Sequence, residues 1–256
     1  MLALAYEQLG LPEAPPLIIL HGFFASGRNW RQVAEKLAAD YQVWLLDLRN
    51  HGASPHHPLM DYPTMAADLL AFMDSHGLQT AHLLGHSMGG KVAMWFALHH
   101  PDRVAKLIVA DIAPVSYQHS FNTLITALKA LPLASLSNRK QAELALAEAI
   151  PDLSYRQFLL QNLVLRDGAY VWRVNLEFFY QNADAIIAFP DASLMPPFAG
   201  HALFLAGAQS NYIKPDDLAA LFPQATLSVI AEAGHWLHVQ QPAAFIGQVS
   251  AFLLAV

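Results

Sequence analysis

The strongest constraint on the fold is a rhythm along the chain. Short apolar, β-branched or aromatic runs that end in Gly, Asp or Asn alternate with stretches of helical pattern. A strand buried on both faces reads as a continuous apolar run, and such strands linked by helices make βαβ units on a mostly parallel sheet. The spacing predicts strands at 17–20, 41–46, 81–84, 107–110, 201–206 and 225–230. Helices are expected at 30–39, 62–76, 89–99, 215–221 and 242–254, with Asp61 and Thr64 placed to cap the second of these.

The rhythm breaks between about residues 115 and 196. There Leu124, Leu128 and Leu131, then Leu144 and Ile150, then Phe158, Leu159 and Leu163 recur at helix-like spacing, and no strand stands out. Some 80 residues are too many and too apolar for a loop, so a helical cap over the sheet is expected. Asp111-Ile112-Ala113-Pro114 marks one end of the insertion, and Phe189-Pro190 with Met195-Pro196-Pro197 marks the other.

At 256 residues the chain suits one large α/β domain. Its apolar runs are short of the roughly 18 residues that a membrane span requires, which points to a soluble protein. A net charge of −6, with no dense block of Lys or Arg, argues against nucleic acid as a partner. With no cysteine there is no disulfide, thiolate nucleophile or Cys-based metal site. The N-terminal MLALAYEQLG has no basic leader and carries Glu7 within its apolar stretch, so cytoplasmic location is the expectation.

Against that background, Gly85-His86-Ser87-Met88-Gly89-Gly90 carries the chemistry. In the pattern Gly-x-Ser-x-Gly, a strand gives way to a helix so abruptly that the serine is held in a strained backbone, which small neighbours permit. Its hydroxyl then stands at the top of the sheet, and the helix N-terminus aims its amides at the same place. The bare pattern is weak evidence: with Gly and Ser each near 7% of residues, a chain of this length meets it by chance roughly one time in ten. Context decides, because Ala81-His82-Leu83-Leu84 precedes it as a strand and Lys91-Val92-Ala93-Met94-Trp95-Phe96 follows it as a helix. Ser87 is the candidate nucleophile.

A serine hydroxyl needs a base to take its proton. Of 13 histidines, His235 lies just beyond the last expected strand, in Ala233-Gly234-His235-Trp236, where chain order on this type of sheet puts the base. His238 is expected on a flanking helical turn and His86 to pack or bond locally. His56-His57 and His99-His100 lack carboxylates at ligand spacing, so they do not read as metal sites. The acid that orients the base most often follows the next-to-last strand, yet Gly207-Ala208-Gln209-Ser210-Asn211-Tyr212 contains none. Asp111 ends the strand after the nucleophile strand and emerges on the same sheet edge. Asp216 and Asp217 stay as alternatives, although Pro215-Asp-Asp-Leu reads as a helix first turn.

Two convergent amides are needed to hold an oxyanion. His21-Gly22-Phe23-Phe24 supplies one, so the backbone N–H groups of Phe23 and Met88 form the candidate pair. Phe24, His86 and Trp236 are candidates for the substrate pocket.

These motifs resemble those of the α/β-hydrolases over nearly the whole chain. More narrowly, Asp47-Leu48-Arg49-Asn50-His51-Gly52, Gly85-His86-Ser87-Met88-Gly89-Gly90-Lys91 and Asp111-Ile112-Ala113-Pro114 resemble the YbfF-type bacterial esterases. Arg49-Asn50-His51-Gly52 stands where many relatives have Pro-Gly-His-Gly; Trp172-Arg173-Val174-Asn175-Leu176 and Gly234-His235-Trp236 also fit that branch. The resemblance implies an α/β-hydrolase fold, a mostly parallel central sheet with helices on both faces. The break in the strand–helix rhythm places the core at 1–114 and 197–256 and the helical cap at 115–196. The resemblance also implies hydrolysis of carboxylic esters, with acyl-CoA thioesters as a second substrate class, and an acid where Asp111 stands. The expected chemistry is acyl transfer through Ser87 on a small-molecule acyl ester or thioester, with no metal or organic cofactor. The alternatives are a carbon–carbon bond hydrolase or lyase on the same scaffold, and a non-catalytic binding protein.

Overall fold

A computed structural model describes residues 1–255. Its seven-stranded sheet is built from β1 (Tyr6–Leu9), β2 (Pro16–Leu20), β3 (Gln42–Leu46), β4 (Ala81–His86), β5 (Val104–Ala110), β8 (Ala202–Gly207) and β9 (Thr226–Ile230). The spatial order is β1-β3-β2-β4-β5-β8-β9, and every neighbouring pair is parallel except β1 with β3. Each of the six expected strands is present to within a few residues. The edge strand β1 escaped prediction because its half-exposed Tyr-Glu-Gln-Leu lacks the apolar run of a central strand.

Successive side chains of a strand point to opposite faces, so each apolar run feeds two cores. Leu17, Ile19, Val43, Leu45, Leu84, Ile108 and Leu205 pack with α1 (Arg31–Leu37) and α9 (Pro242–Leu254). Ile18, Leu20, Trp44, Leu46, Leu83, Leu107, Val109 and Phe204 pack with α2 (Tyr62–Ser75) and α3 (Met88–His99). Asp61 caps α2 by accepting the Thr64 N–H at 2.8 Å. Residues 215–221 do not form the expected helix: only a single 3-10 turn, Pro215–Asp217, is present. Lys214 N–H donates to the Asp217 carboxylate at 2.9 Å, which closes that turn locally.

Between β5 and β8 lie α4 (Asn122–Lys129), α5 (Arg139–Ala145), α6 (Leu153–Leu160) and α7 (Leu176–Ile187). This segment also holds an antiparallel hairpin of β6 (Leu163–Arg166) and β7 (Ala169–Trp172), where no strand was expected. Its tip is Asp167-Gly168, both with positive φ (50° and 82°), the backbone that a two-residue hairpin turn demands. The inserted segment is therefore mostly, not wholly, helical. A short helix, α8 (Leu237–Gln240), precedes α9 and carries His238.

Candidate active site

Ser87 joins β4 to α3 with φ 53° and ψ −120°, a positive-φ conformation rare for a residue with a Cβ. The turn is possible because glycines flank it: a Cβ on Gly85 would come within 2.3 Å of the Gly89 carbonyl oxygen, and one on Gly89 within 2.2 Å of the Leu20 oxygen. The helix can thus sit directly against the ends of β2 and β4. The Ser87 N–H donates to the Ala110 carbonyl at 3.1 Å, tying the turn to the end of β5.

Asp111 follows β5 and is fully buried, with φ 50°. Its Oδ1 accepts the Gly207 N–H at 2.9 Å, and its Oδ2 accepts both the Ser210 hydroxyl at 2.5 Å and the His235 Nδ1–H at 2.8 Å. The other ring nitrogen of His235, Nε2, lies 3.0 Å from Ser87 Oγ. Ser87, His235 and Asp111, drawn from three segments of the chain, are one continuous hydrogen-bonded series. An imidazole whose Nδ1–H faces a carboxylate presents its Nε2 lone pair to the serine, so it can accept the hydroxyl proton. Asp216 and Asp217 make no contact with His235.

Three supports of this series carried no signal in sequence spacing. Ser210 lies in the acid-free loop after β8 and donates to Asp111. Tyr212 stacks its ring on His235, with centroids 4.3 Å apart and 28° between planes. His86 does more than bond locally: its Nε2–H donates to the His235 carbonyl, 149 residues away, at 2.8 Å. Burial, reinforced by His235 and His238, holds the His86 imidazole well below its ordinary range.

The loop after β2 runs beside Ser87, where a Cβ on Gly22 would be 3.2 Å from the Ser87 Cβ and 3.1 Å from His86 Nδ1. Among the described residues the Phe23 N–H meets no acceptor. Met88, the first residue of α3, has none a turn earlier. The Arg49-Asn50-His51-Gly52 segment holds this loop in place. His51 donates through Nδ1 to the Arg49 carbonyl at 2.9 Å and accepts the Phe24 N–H on Nε2 at 3.2 Å. His21 likewise donates from Nδ1 to the Gly22 carbonyl at 2.8 Å and accepts the Leu48 N–H on Nε2 at 3.0 Å. Both rings are fully buried, and burial lowers the pKa of each, in keeping with one donating and one accepting nitrogen. Arg49 is buried too, paired with Asp68 at 2.7 Å.

A family model for the alpha/beta hydrolase fold matches residues 15–242. The chain belongs to the α/β-hydrolase family. It is 36% identical over 242 residues to the esterase YbfF of Escherichia coli, covering 93% of this chain and 92% of that protein. It is 38% identical over 255 residues to an sn-1-specific diacylglycerol lipase of Danio rerio, covering 95% of this chain and 80% of the relative. Among solved structures, a marine microorganism esterase superposes with a TM-score of 0.93 at 42% identity, covering 98% of this chain and all of that one.

The cavity of this hydrolase, about 960 Å³, opens over Ser87 and His235 between the sheet edge and the inserted segment. Phe24, His86 and Trp236 all line it. Its lining includes Tyr155 and Phe158 of α6, whose rings lie 5.5 and 5.9 Å from the Trp236 ring. Phe23, Ile112, Tyr117, Ile187 and Lys91 also line the cavity. Burial pushes the Lys91 ammonium down to about 7. His238 stacks on Trp30 at 3.9 Å, and burial lowers its imidazole to about 3. Among the described residues no group of three His, Asp or Glu side chains could hold a metal ion, and no helix is long and apolar enough to cross a membrane.

Proposed function

We propose that this α/β-hydrolase cleaves carboxylic esters, acyl-CoA thioesters included, through an acyl-enzyme on Ser87. The observation that carries the reading is the series Ser87 Oγ, His235 Nε2, His235 Nδ1 and Asp111 Oδ2 on the floor of a cavity large enough for an acyl ester. His235 removes the Ser87 proton as Oγ attacks the carbonyl carbon, and Asp111 stabilises the imidazolium that forms. The oxyanion is received by the N–H groups of Phe23 and Met88, each such donor being worth about 3 kcal/mol in the transition state. His235 then gives its proton to the departing alcohol or thiol, and a water activated by the same ring releases the acid. Residues 115–196 act as the cap that bounds the substrate, over a core of 1–114 and 197–256.

The relatives at 36–42% identity are named as esterases and lipases, which supports ester hydrolysis over carbon–carbon bond cleavage. Small-molecule ester substrates fit the esterase and lipase names of these relatives. The test is acid release from p-nitrophenyl esters, with Ser87→Ala abolishing turnover and labelling by a fluorophosphonate. An inert wild-type protein, or a Ser87→Ala variant that still turns over, overturns the reading.

A further inference from the structure

Lys91 is a buried charge that the proposed mechanism does not use. It lies in the first turn of α3, its N–H donating to the Ser87 carbonyl at 3.1 Å, and both side chains border the same cavity. Lys91 is 1% exposed and lines the cavity. Its Nζ donates to the carbonyls of Ile187 and Ala188 at 2.7 and 2.8 Å, at the C-terminal end of α7. An ammonium has three N–H donors, so one stays uncommitted. No carboxylate lies within 4 Å of it among the described residues. Its other neighbours are the ring faces of Tyr117 and Tyr62, 4.7 and 5.7 Å from Nζ. Both hydroxyls are occupied, Tyr117 donating to the Tyr212 carbonyl and Tyr62 to that of Ile186.

Burial without a carboxylate lowers Lys91 to about 7, and a carboxylate arriving beside its uncommitted N–H would favour the charged ammonium. In the pose considered, the leaving group lies toward Trp236, Tyr155 and Phe158 with His235 Nε2 within reach, and the acyl group lies toward Lys91. Besides Lys91, that end of the cavity presents the His119 ring, while Asp152, the acid bordering the cavity, belongs to the α6 side.

We propose that Lys91 forms the distal subsite for a carboxylate on the acyl group, so that half-esters of short dicarboxylic acids are preferred substrates. Ser87 and Lys91 border one cavity, so a glutarate-length spacer serves as the probe of that subsite. The proposal rests on the ester-hydrolase reading for its direction in the cavity, and two measurements separate them. Calorimetric binding of glutaramate and of pentanamide, which differ in the distal carboxylate, needs no turnover. In wild type glutaramate should bind at least tenfold more tightly, and Lys91→Met should remove that difference. The ratio of kcat/KM for p-nitrophenyl hemiglutarate to that for p-nitrophenyl pentanoate should fall at least tenfold in Lys91→Met. Equal binding of the two amides by wild type overturns the subsite even if neutral esters are hydrolysed, and needs no variant that folds. Tighter glutaramate binding by a protein inert to both esters upholds the subsite and sinks the hydrolase reading.

Discussion

Replacing His238 by Phe should make the fold less sensitive to acid. The imidazole stacks on Trp30 with 11° between planes, and its Nδ1 is buried without a hydrogen-bond partner. Burial, then the nearby His235, lowers its pKa from 6.5 to about 3. In the unfolded chain the ring takes up a proton as pH falls through 6.5, whereas in the fold it stays neutral until about 3. The group therefore contributes nothing to the pH dependence well above 6.5, and below that value stability is lost at about 1.4 kcal/mol per pH unit. Integrated from neutral pH down to pH 5, the loss is RT ln(1 + 10^1.5), about 2 kcal/mol. Phenylalanine keeps an aromatic face against Trp30 and has no proton to bind. Urea unfolding at about pH 7.5 and about pH 5, followed by tryptophan fluorescence, gives the four free energies required. The drop in stability between the two pH values should be smaller in His238→Phe by about 2 kcal/mol. His51 and His86 are shifted the same way by burial, so some acid sensitivity persists in the variant, and the difference between the two proteins carries the argument. An identical drop in both would refute the reasoning, because it would mean that the His238 ring is protonated in the folded protein.

Asp111→Asn should lower kcat by roughly ten-thousand-fold with the fold intact, since an amide cannot hold the base in the required tautomer and charge state; circular dichroism and ester kinetics check it. Ser210→Ala removes one donor to the same carboxylate, a charged hydrogen bond worth about 1.5–3 kcal/mol, and should reduce kcat tenfold or more with a smaller change in KM. Gly85→Ala would drive a Cβ to 2.3 Å from the Gly89 oxygen, backbone that cannot yield. That variant should lose about 3 kcal/mol or more, or fail to fold, as thermal unfolding would register.

The central sheet was legible because strands buried on both faces announce themselves as apolar runs. Elements whose side chains split between core and solvent did not: β1 alternates, and 215–221 had acids and a proline suited to a helix start but only one turn followed. The hairpin after α6 had its signal in Asp167-Gly168 between Leu163-Val-Leu-Arg and Ala169-Tyr-Val-Trp, yet Phe158, Leu159 and Leu163 at helical spacing masked it. At the site, Ser87, His235 and Asp111 were found because a strand end, a chain position and a sheet edge constrain where such groups emerge. Ser210 and Tyr212 depend on which loop leans over Asp111, and Lys91 on how α7 ends above α3. Those are relations between segments some 100 residues apart, and no local pattern encodes them.

Ser87 and Asp111 belong to the first half of the chain, whereas Gly207, Ser210 and His235 reach them from beyond the inserted segment. A growing polypeptide on the ribosome therefore carries an idle serine until almost all of it has been synthesised and docked. On the proposed reading, a half-made or partly unfolded copy has no base beside Ser87 and is a poor hydrolase of the esters around it.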